Sequence, residues 1–486
     1  MDITFIGHQS FMVHHGATRI LVDPLLEREF GLSQTPRLEV FPSRTVDLKA
    51  MPCPDAIVLS HEHPDHFHVP SLARIARSTP ILLAPLMPSY VEEALLILGF
   101  SPRRLTFGET VTMGDLALRP SPPPAETPLW ERRVAQLFFT TADGCGGVFM
   151  TIDAPVPRDA DIDPRLVVVA NNSQFAPPGA VHANANAALR RDDRFGLRHA
   201  GLNILRTLLL ESADAFPRSA IAISGGGFID APESFGPYLH ADAARLASYA
   251  AALESDLPVF GLTPGDVIVL DETGFARRHA RWIRLDRARI AAARRQLRQF
   301  ASGSGRHMPA TPPLADERTL RSARRRIAAE LPLLARGILR SPLGAALLAA
   351  CESLLLEIRS SRGDERVHYV LDLTRSAFVR RRVKDRFQSG YGVSLFDCDF
   401  DALLDGRVLI WDLAATAIET WYRRGYTTSV LPFLFTWYCE AMRPSLARKI
   451  TLNAVHAVTS GGAGTSLPAR RPTGASRRSA RRNRVL

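Results

Sequence analysis

Four histidines and two acids fall within eight residues, in the run His61-Glu62-His63-Pro64-Asp65-His66-Phe67-His68. Imidazole nitrogen and carboxylate oxygen are donors suited to zinc, iron or manganese, and no sulfur accompanies them. His61 and His63 are two apart, so a sharp turn can aim both at one ion. Asp65 and His66 follow on the next turn and can serve a second ion beside the first. A packed core would need a polar partner for every one of these groups, which makes a purely structural role for the run costly.

The elements that must hold this loop are legible around it. Asp55–Ser60 (DAIVLS) is an apolar run suited to a strand buried on both faces, and it ends directly before His61. Loops after the carboxyl ends of such strands are where α/β layers place their ligands. Short β-type runs at 3–6, 11–14 and 19–22 precede it, and 116–120, 136–141, 147–152, 167–170, 219–224, 259–262 and 267–270 resume the pattern. Segments 70–77, 89–98, 198–212 and 242–253 read as helices. Beyond them lie an Arg/Ala-rich helix at 284–300, a Gly/Ser/Pro linker at 302–313, and helices at 318–335 and 344–359. Strand patterns return at 369–373, 393–396 and 407–413, and an aromatic-rich helix follows at 431–442. The expected organisation is a strand–helix domain over 1–280, an Arg-rich helical segment over 281–365, an α+β domain over 366–458 and a disordered basic tail over 459–486.

The pattern HxHxDH, here His61-x-His63-x-Asp65-His66, resembles the hallmark of the metallo-β-lactamase superfamily. The opening Ile3-Thr4-Phe5-Ile6-Gly7-His8 and Ile20-Leu21-Val22-Asp23-Pro24 are similar to that superfamily's first strands. Thr151-Ile152-Asp153, Ile223-Ser224-Gly225-Gly226-Gly227-Phe228 and Thr263-Pro264-Gly265 extend the likeness over roughly residues 1–275. It is nearest the branch of the ascorbate-6-phosphate lactonases and the metallo-β-lactamase-like part of CMP-N-acetylneuraminate hydroxylase, although the CxH pair of a Rieske centre is missing. The resemblance implies an α/β fold, an αββα sandwich followed by a helical linker and a smaller α+β domain. It implies one or two divalent ions, zinc first and iron or manganese as alternatives. His61 and His63 would hold one ion, Asp65 and His66 the other, and Asp153 would bridge them. Asp23 would orient the His loop from behind, and His8 would stand near the pocket. The superfamily's third histidine for the first ion has no counterpart in Ser121–Glu126, where Glu126 is the candidate substitute. Its last histidine falls on Gly227, leaving His182 or His240 to reach in from elsewhere.

With two ions bound, the implied chemistry is hydrolysis of an ester, lactone, amide or phosphodiester by an activated water, with Asp65 orienting or deprotonating it. A di-iron oxygenase on the same fold and a scaffold that has lost its ligands stay open as alternatives. Composition narrows the setting. Hydrophobic residues make up 46% and charged residues 22% of 486 residues, a globular profile, and no apolar run approaches the ~18 residues of a membrane span. The start Met1–Phe5 lacks a signal peptide's basic and apolar regions, so a cytoplasmic protein is expected. Five cysteines without a CxxC pair argue against a thiolate zinc site. The net charge of +11 owes seven arginines to the acid-free stretch 470–486, so nucleic acid is not expected as a partner except at that tail. A small-molecule substrate is the expected partner, with self-association open. The aromatics Trp411, Trp421, Tyr422, Tyr426, Phe433, Phe435, Trp437 and Tyr438 read first as an ordinary core or dimer contact, and secondly as a cover over the active site.

Overall fold

The computed structural model describes residues 1–31, 38–127, 131–142, 146–170, 207–228, 257–300, 309–422, 430–439 and 442–460. Two sheets face each other across one apolar core. The first has eight strands in the order Gly274–His279, Asp266–Asp271, Asp2–Gly7, Ser10–His15, Thr18–Val22, Ala56–Leu59, Ile81–Leu83, Pro102–Arg104. The second has seven, in the order Val111–Met113, Leu116–Ser121, Gln136–Thr141, Gly147–Met150, Leu166–Ala170, Ala220–Ser224, Val259–Gly261. Phe5, Val13, Leu21, Ile57, Leu118, Leu137 and Val148 belong to the shared core. A helix over 207–215 covers the outer face of the second sheet, where Leu209 and Phe216 pack with Phe149, Val167 and Ile221. Helices Val69–Leu72 and Ser89–Ile97 serve the first sheet. The layers are those of an αββα sandwich.

Each sheet is parallel along one side, over Thr18–Val22, Ala56–Leu59, Ile81–Leu83 and Pro102–Arg104 in the first and Gly147–Met150, Leu166–Ala170, Ala220–Ser224 and Val259–Gly261 in the second. Val22 pairs with Val58, and Met150 with Val168. Parallel pairing brings the carboxyl ends of neighbouring strands to one edge, so Asp23, Ser60 and Thr151 all leave their strands on the same rim. The amide of Asp23 donates to the carbonyl of Val58 at 2.9 Å, which locks the two strand ends together.

The C-terminal part differs from the sequence reading at two places. The helix expected over 344–359 stops at Ala349, and Leu354–Arg359 is the central strand of a five-stranded sheet. Cys351, with φ +51°, ends the helix, and the apolar run LLLEIR then finds antiparallel and parallel partners in Arg366–Asp372 and Tyr391–Phe396. The strand expected over 407–413 is instead the helix Ile410–Thr416. There the Asp412 carboxylate accepts the amide of Leu409 at 3.1 Å and so starts the helix. The last helix, Pro444–Ser460, returns to the sandwich: Ala447, Ile450, Ala454 and Val455 join its core cluster against Ser89–Ile97. The expected helix at 242–253 lies outside the described residues, as does the tail beyond 460. No single helix among the described residues is long and apolar enough to cross a membrane.

Candidate metal centre

The structure gathers His61, His63, Glu131 and Asp153 into one group of donor atoms, and Asp65, His66 and Asp153 into a second. Within each group the atoms lie within 4.8 Å of one another. Asp153 belongs to both. Its Oδ2 is 2.8 Å from His66 Nε2 and 3.7 Å from His61 Nε2. The rings of His61 and His66 have centroids 4.0 Å apart, and those of His61 and His63 are 4.4 Å apart edge to face. The five residues singled out from sequence as ligands therefore stand together.

Asp23 organises the loop from behind. Fully buried, it accepts the amide of Ser60 at 2.7 Å, the Ser60 hydroxyl, and His66 Nδ1 at 2.8 Å. Since Ser60 Oγ gives its proton to Asp23, it accepts from His61 Nδ1 at 3.0 Å. A carboxylate has only acceptors, so Asp23 fixes a proton on Nδ1 of both imidazoles, directly at His66 and through Ser60 at His61, and leaves both Nε2 atoms facing the cluster as the ligand atoms. His8 Nε2 lies 2.8 Å from Asp65 Oδ2. Gln9, which sequence reasoning did not single out, reaches Asp153 Oδ1 at 3.5 Å while its own carbonyl accepts from Ser224. His8, Asp23 and Ile152 have φ of +58°, +44° and +55°. Such left-handed backbone costs of order 1–3 kcal/mol per residue and is held only where the surroundings over-determine it. His8 bonds the donor Asp65, Asp23 stands behind the donors, and Ile152 precedes Asp153 in the chain.

Glu126 is exposed and takes no part in either group; Glu131 does, from a short turn further along the chain. Arg133 donates from Nε to Glu62 Oε1 at 3.1 Å and also from Nη2, and the amide of Ala135 donates to the carbonyl of Ser60 at 3.1 Å. These bonds tie the turn to the His loop and place Glu131 Oε2 3.7 Å from His63 Nδ1. No spacing rule could have preferred Glu131 to Glu126. Gly227 lies in a short strand paired with Phe41, and Gly226 packs so closely on His8 that an added Cβ would sit 3.2 Å from its Nδ1. Among the described residues the imidazole beside Gly226 is His8. His182 and His240 lie outside the described residues. His68 is turned away, with Nδ1 2.7 Å from Ser71 Oγ.

The electrostatics ask for a cation. Burial, with the His66 and His63 rings beside it, holds His61 well below the ordinary imidazole range, which keeps it a neutral donor. Burial opposes charge on His66, but Asp65, Asp153 and Asp23 outweigh it and hold that imidazole well above its ordinary value. Burial and the Asp153 carboxylate push Glu131 well up. Against its own burial, Asp65 is held well below the carboxylate range by His66 and His8. A crowd of carboxylates that recruits protons without a metal is a place where a divalent ion displaces them. His61 Nε2 and Glu131 Oε2 are buried and make no hydrogen bond, a costly arrangement unless a ligand completes it. The donor set fits a metal ion.

The C-terminal sheet domain reaches the same site. The ring of Trp411 lies 5.1 Å from that of His63 and stacks on Phe435 at 3.9 Å. Those two aromatics are part of a cover as well as of a core.

Residues 2–144 match the family model described as Beta-lactamase superfamily domain. No curated protein matches the sequence. Similar solved structures include isothiocyanate hydrolase from Delia radicum gut bacteria, with a TM-score of 0.39, 16% identity, and coverage of 57% of this chain and 100% of that one. Igni18, a metallo hydrolase from the archaeon Ignicoccus hospitalis, has a TM-score of 0.36 and 14% identity, covering 56% and 98%. CmlA, a diiron beta-hydroxylase from Streptomyces venezuelae, has a TM-score of 0.38 and 16% identity, covering 57% and 54%.

Proposed function

We propose, on the premise that residues 2–144 form a beta-lactamase superfamily domain, that this chain is a dinuclear metal-dependent hydrolase acting on a small molecule with an ester, lactone, amide or phosphodiester bond. The observation that carries this reading is the sharing of Asp153 Oδ2 between two donor groups. A divalent ion at such a site lowers the pKa of water it holds and withdraws charge from a carbonyl or phosphoryl oxygen. His61, His63 and Glu131 would hold one ion, His66 and Asp65 the other, with Asp153 between them. Asp65 is also the group to orient the attacking water and take its proton, since His66 and His8 keep it ionised and the His8 hydrogen bond fixes its carboxylate. Asp23 and Ser60 set the imidazole tautomers. Zinc is the first expectation.

Glu131 favours a second reading. With it, the first group offers two imidazoles and two carboxylates, and two histidines with a carboxylate and open positions suit non-haem iron. Iron there, with dioxygen and a reductant as co-substrates, would suit an oxygenase. The unpartnered buried donors weigh against a third reading, a scaffold that has lost its ligands.

Metal analysis of protein made in unsupplemented medium tests all three, beside a His61→Ala/His63→Ala variant. Two equivalents of zinc, with hydrolysis of an ester and lactone panel, support the lead reading. Iron with a near-ultraviolet charge-transfer band supports the second. Equal metal in the wild type and the double variant removes both.

A further inference from the structure

The three imidazoles of the centre are not held alike. His66 Nδ1 is fixed by Asp23 and His61 Nδ1 by Ser60, each through a hydrogen bond. Neither ring nitrogen of His63 makes a hydrogen bond among the described residues. Its nearest polar neighbours, Glu131 Oε2 at 3.7 Å and Glu62 Oε1 at 4.0 Å, are ion-pair distances. Among the described residues two rings stand beside that of His63: His61, edge to face at 4.4 Å, and Trp411, tilted by 53° at 5.1 Å.

Resting on the reading that the cluster binds metal, we infer that Trp411 is the positioning residue for His63, so that the metal centre is completed by the C-terminal domain. A metal-bound histidine needs its ring orientation fixed from outside, usually by a hydrogen bond at the other nitrogen. Here packing replaces that bond. Trp411 is well placed to be rigid. Phe435, itself buried, stacks beneath it at 3.9 Å and 24°, and Trp411 sits in the first turn of a helix capped by Asp412. The domain that carries it is clamped to the sandwich. The helix Pro444–Ser460 packs on Ser89–Ile97, and Arg448 donates to both carboxylate oxygens of Glu93. Removing the indole frees χ1 and χ2 of His63, and each metal-binding event must then order that ring again. The loss falls on the first ion alone, because the second is held through His66 and its bond to Asp23.

The test uses full-length protein and cobalt(II) alone, titrated with absorption read in the d–d region. In Trp411→Leu, which keeps apolar volume but lacks a flat face, the first ion weakens by roughly 10- to 100-fold, its cobalt spectrum changes, and the second ion is unmoved. Trp411→Phe, which keeps a ring, restores most of the affinity. Should Trp411→Leu fail to fold, Phe435→Leu carries the test, since it leaves the indole but removes its support; the same ion weakens, by less. Two ions bound with wild-type affinity and spectrum by Trp411→Leu, or equal weakening of both ions, overturns the inference while leaving the metal site standing. A wild-type protein that binds no cobalt sinks the metal reading itself.

Discussion

Asp23→Asn should reverse the hydrogen-bond direction behind the metal centre. The carboxylate accepts from Ser60 N, Ser60 Oγ and His66 Nδ1. Asparagine has nearly the same shape, keeps one acceptor for the Ser60 amide, and puts an NH2 where Oδ2 was. That NH2 must donate to His66 Nδ1, which moves the imidazole proton to Nε2, the atom 2.8 Å from Asp153 Oδ2 that would bind the second ion. It must also donate to Ser60 Oγ, whose own proton then turns toward His61 Nδ1. Both lone pairs are thereby blocked. To bind metal the protein must undo a buried hydrogen bond at each histidine and leave a buried polar group unpaired, at about 1–3 kcal/mol each. At 1.4 kcal/mol per factor of ten, each ion weakens by about 5- to 140-fold. Competition against a chromophoric chelator measures both constants. Ser60→Ala is the matched control: it removes only the His61 branch, so only the first ion should respond. Wild-type affinities for both ions in Asp23→Asn would refute the tautomer argument.

Three further outcomes are expected. Glu131→His supplies a third imidazole to the first group and should raise the zinc-to-iron ratio of protein grown in medium containing both, read by plasma emission; an unchanged ratio would separate Glu131 from the ion. Arg44 is wholly buried, with its guanidinium donating to the carbonyls of Ile6, Leu25 and Glu27 at 2.7, 2.6 and 3.2 Å. Burial lowers its pKa to about 10, so it stays charged at neutral pH. Arg44→Met leaves three carbonyls without a charged donor and should cost about 3–5 kcal/mol, seen as an earlier urea midpoint; a loss below about 1 kcal/mol would contradict it. Gly226→Ala places a Cβ 2.6 Å from the carbonyl oxygen of Phe41 and 3.2 Å from His8 Nδ1. It should destabilise by about 1–3 kcal/mol and weaken the second ion through displaced His8, and an unaltered melting temperature would show that the backbone yields freely.

What was legible without coordinates is what a short stretch of chain decides for itself. His61, His63, Asp65 and His66 lie within six residues, so the turn that aims them is local, and the buried strand Ala56–Leu59 before them is an apolar run that admits little else. Asp153 and Asp23 were reached through likeness to a family, and both lie at carboxyl ends of parallel strands, where that likeness is strongest. The run LLLEIR suits helix and strand equally; a left-handed Cys351 and two waiting partner strands decided for strand. Glu131, and the meeting of Trp411 with His63 in particular, were beyond reach for the same reason on a larger scale. Glu131 meets His63 because Arg133 and Ala135 tie its turn to the His loop, and Trp411 meets it only because a returning helix clamps a second domain onto the first. Residue type and spacing settle contacts a few positions apart, whereas contacts across hundreds of positions depend on where whole layers come to rest, and that is set by the burial of their apolar faces together.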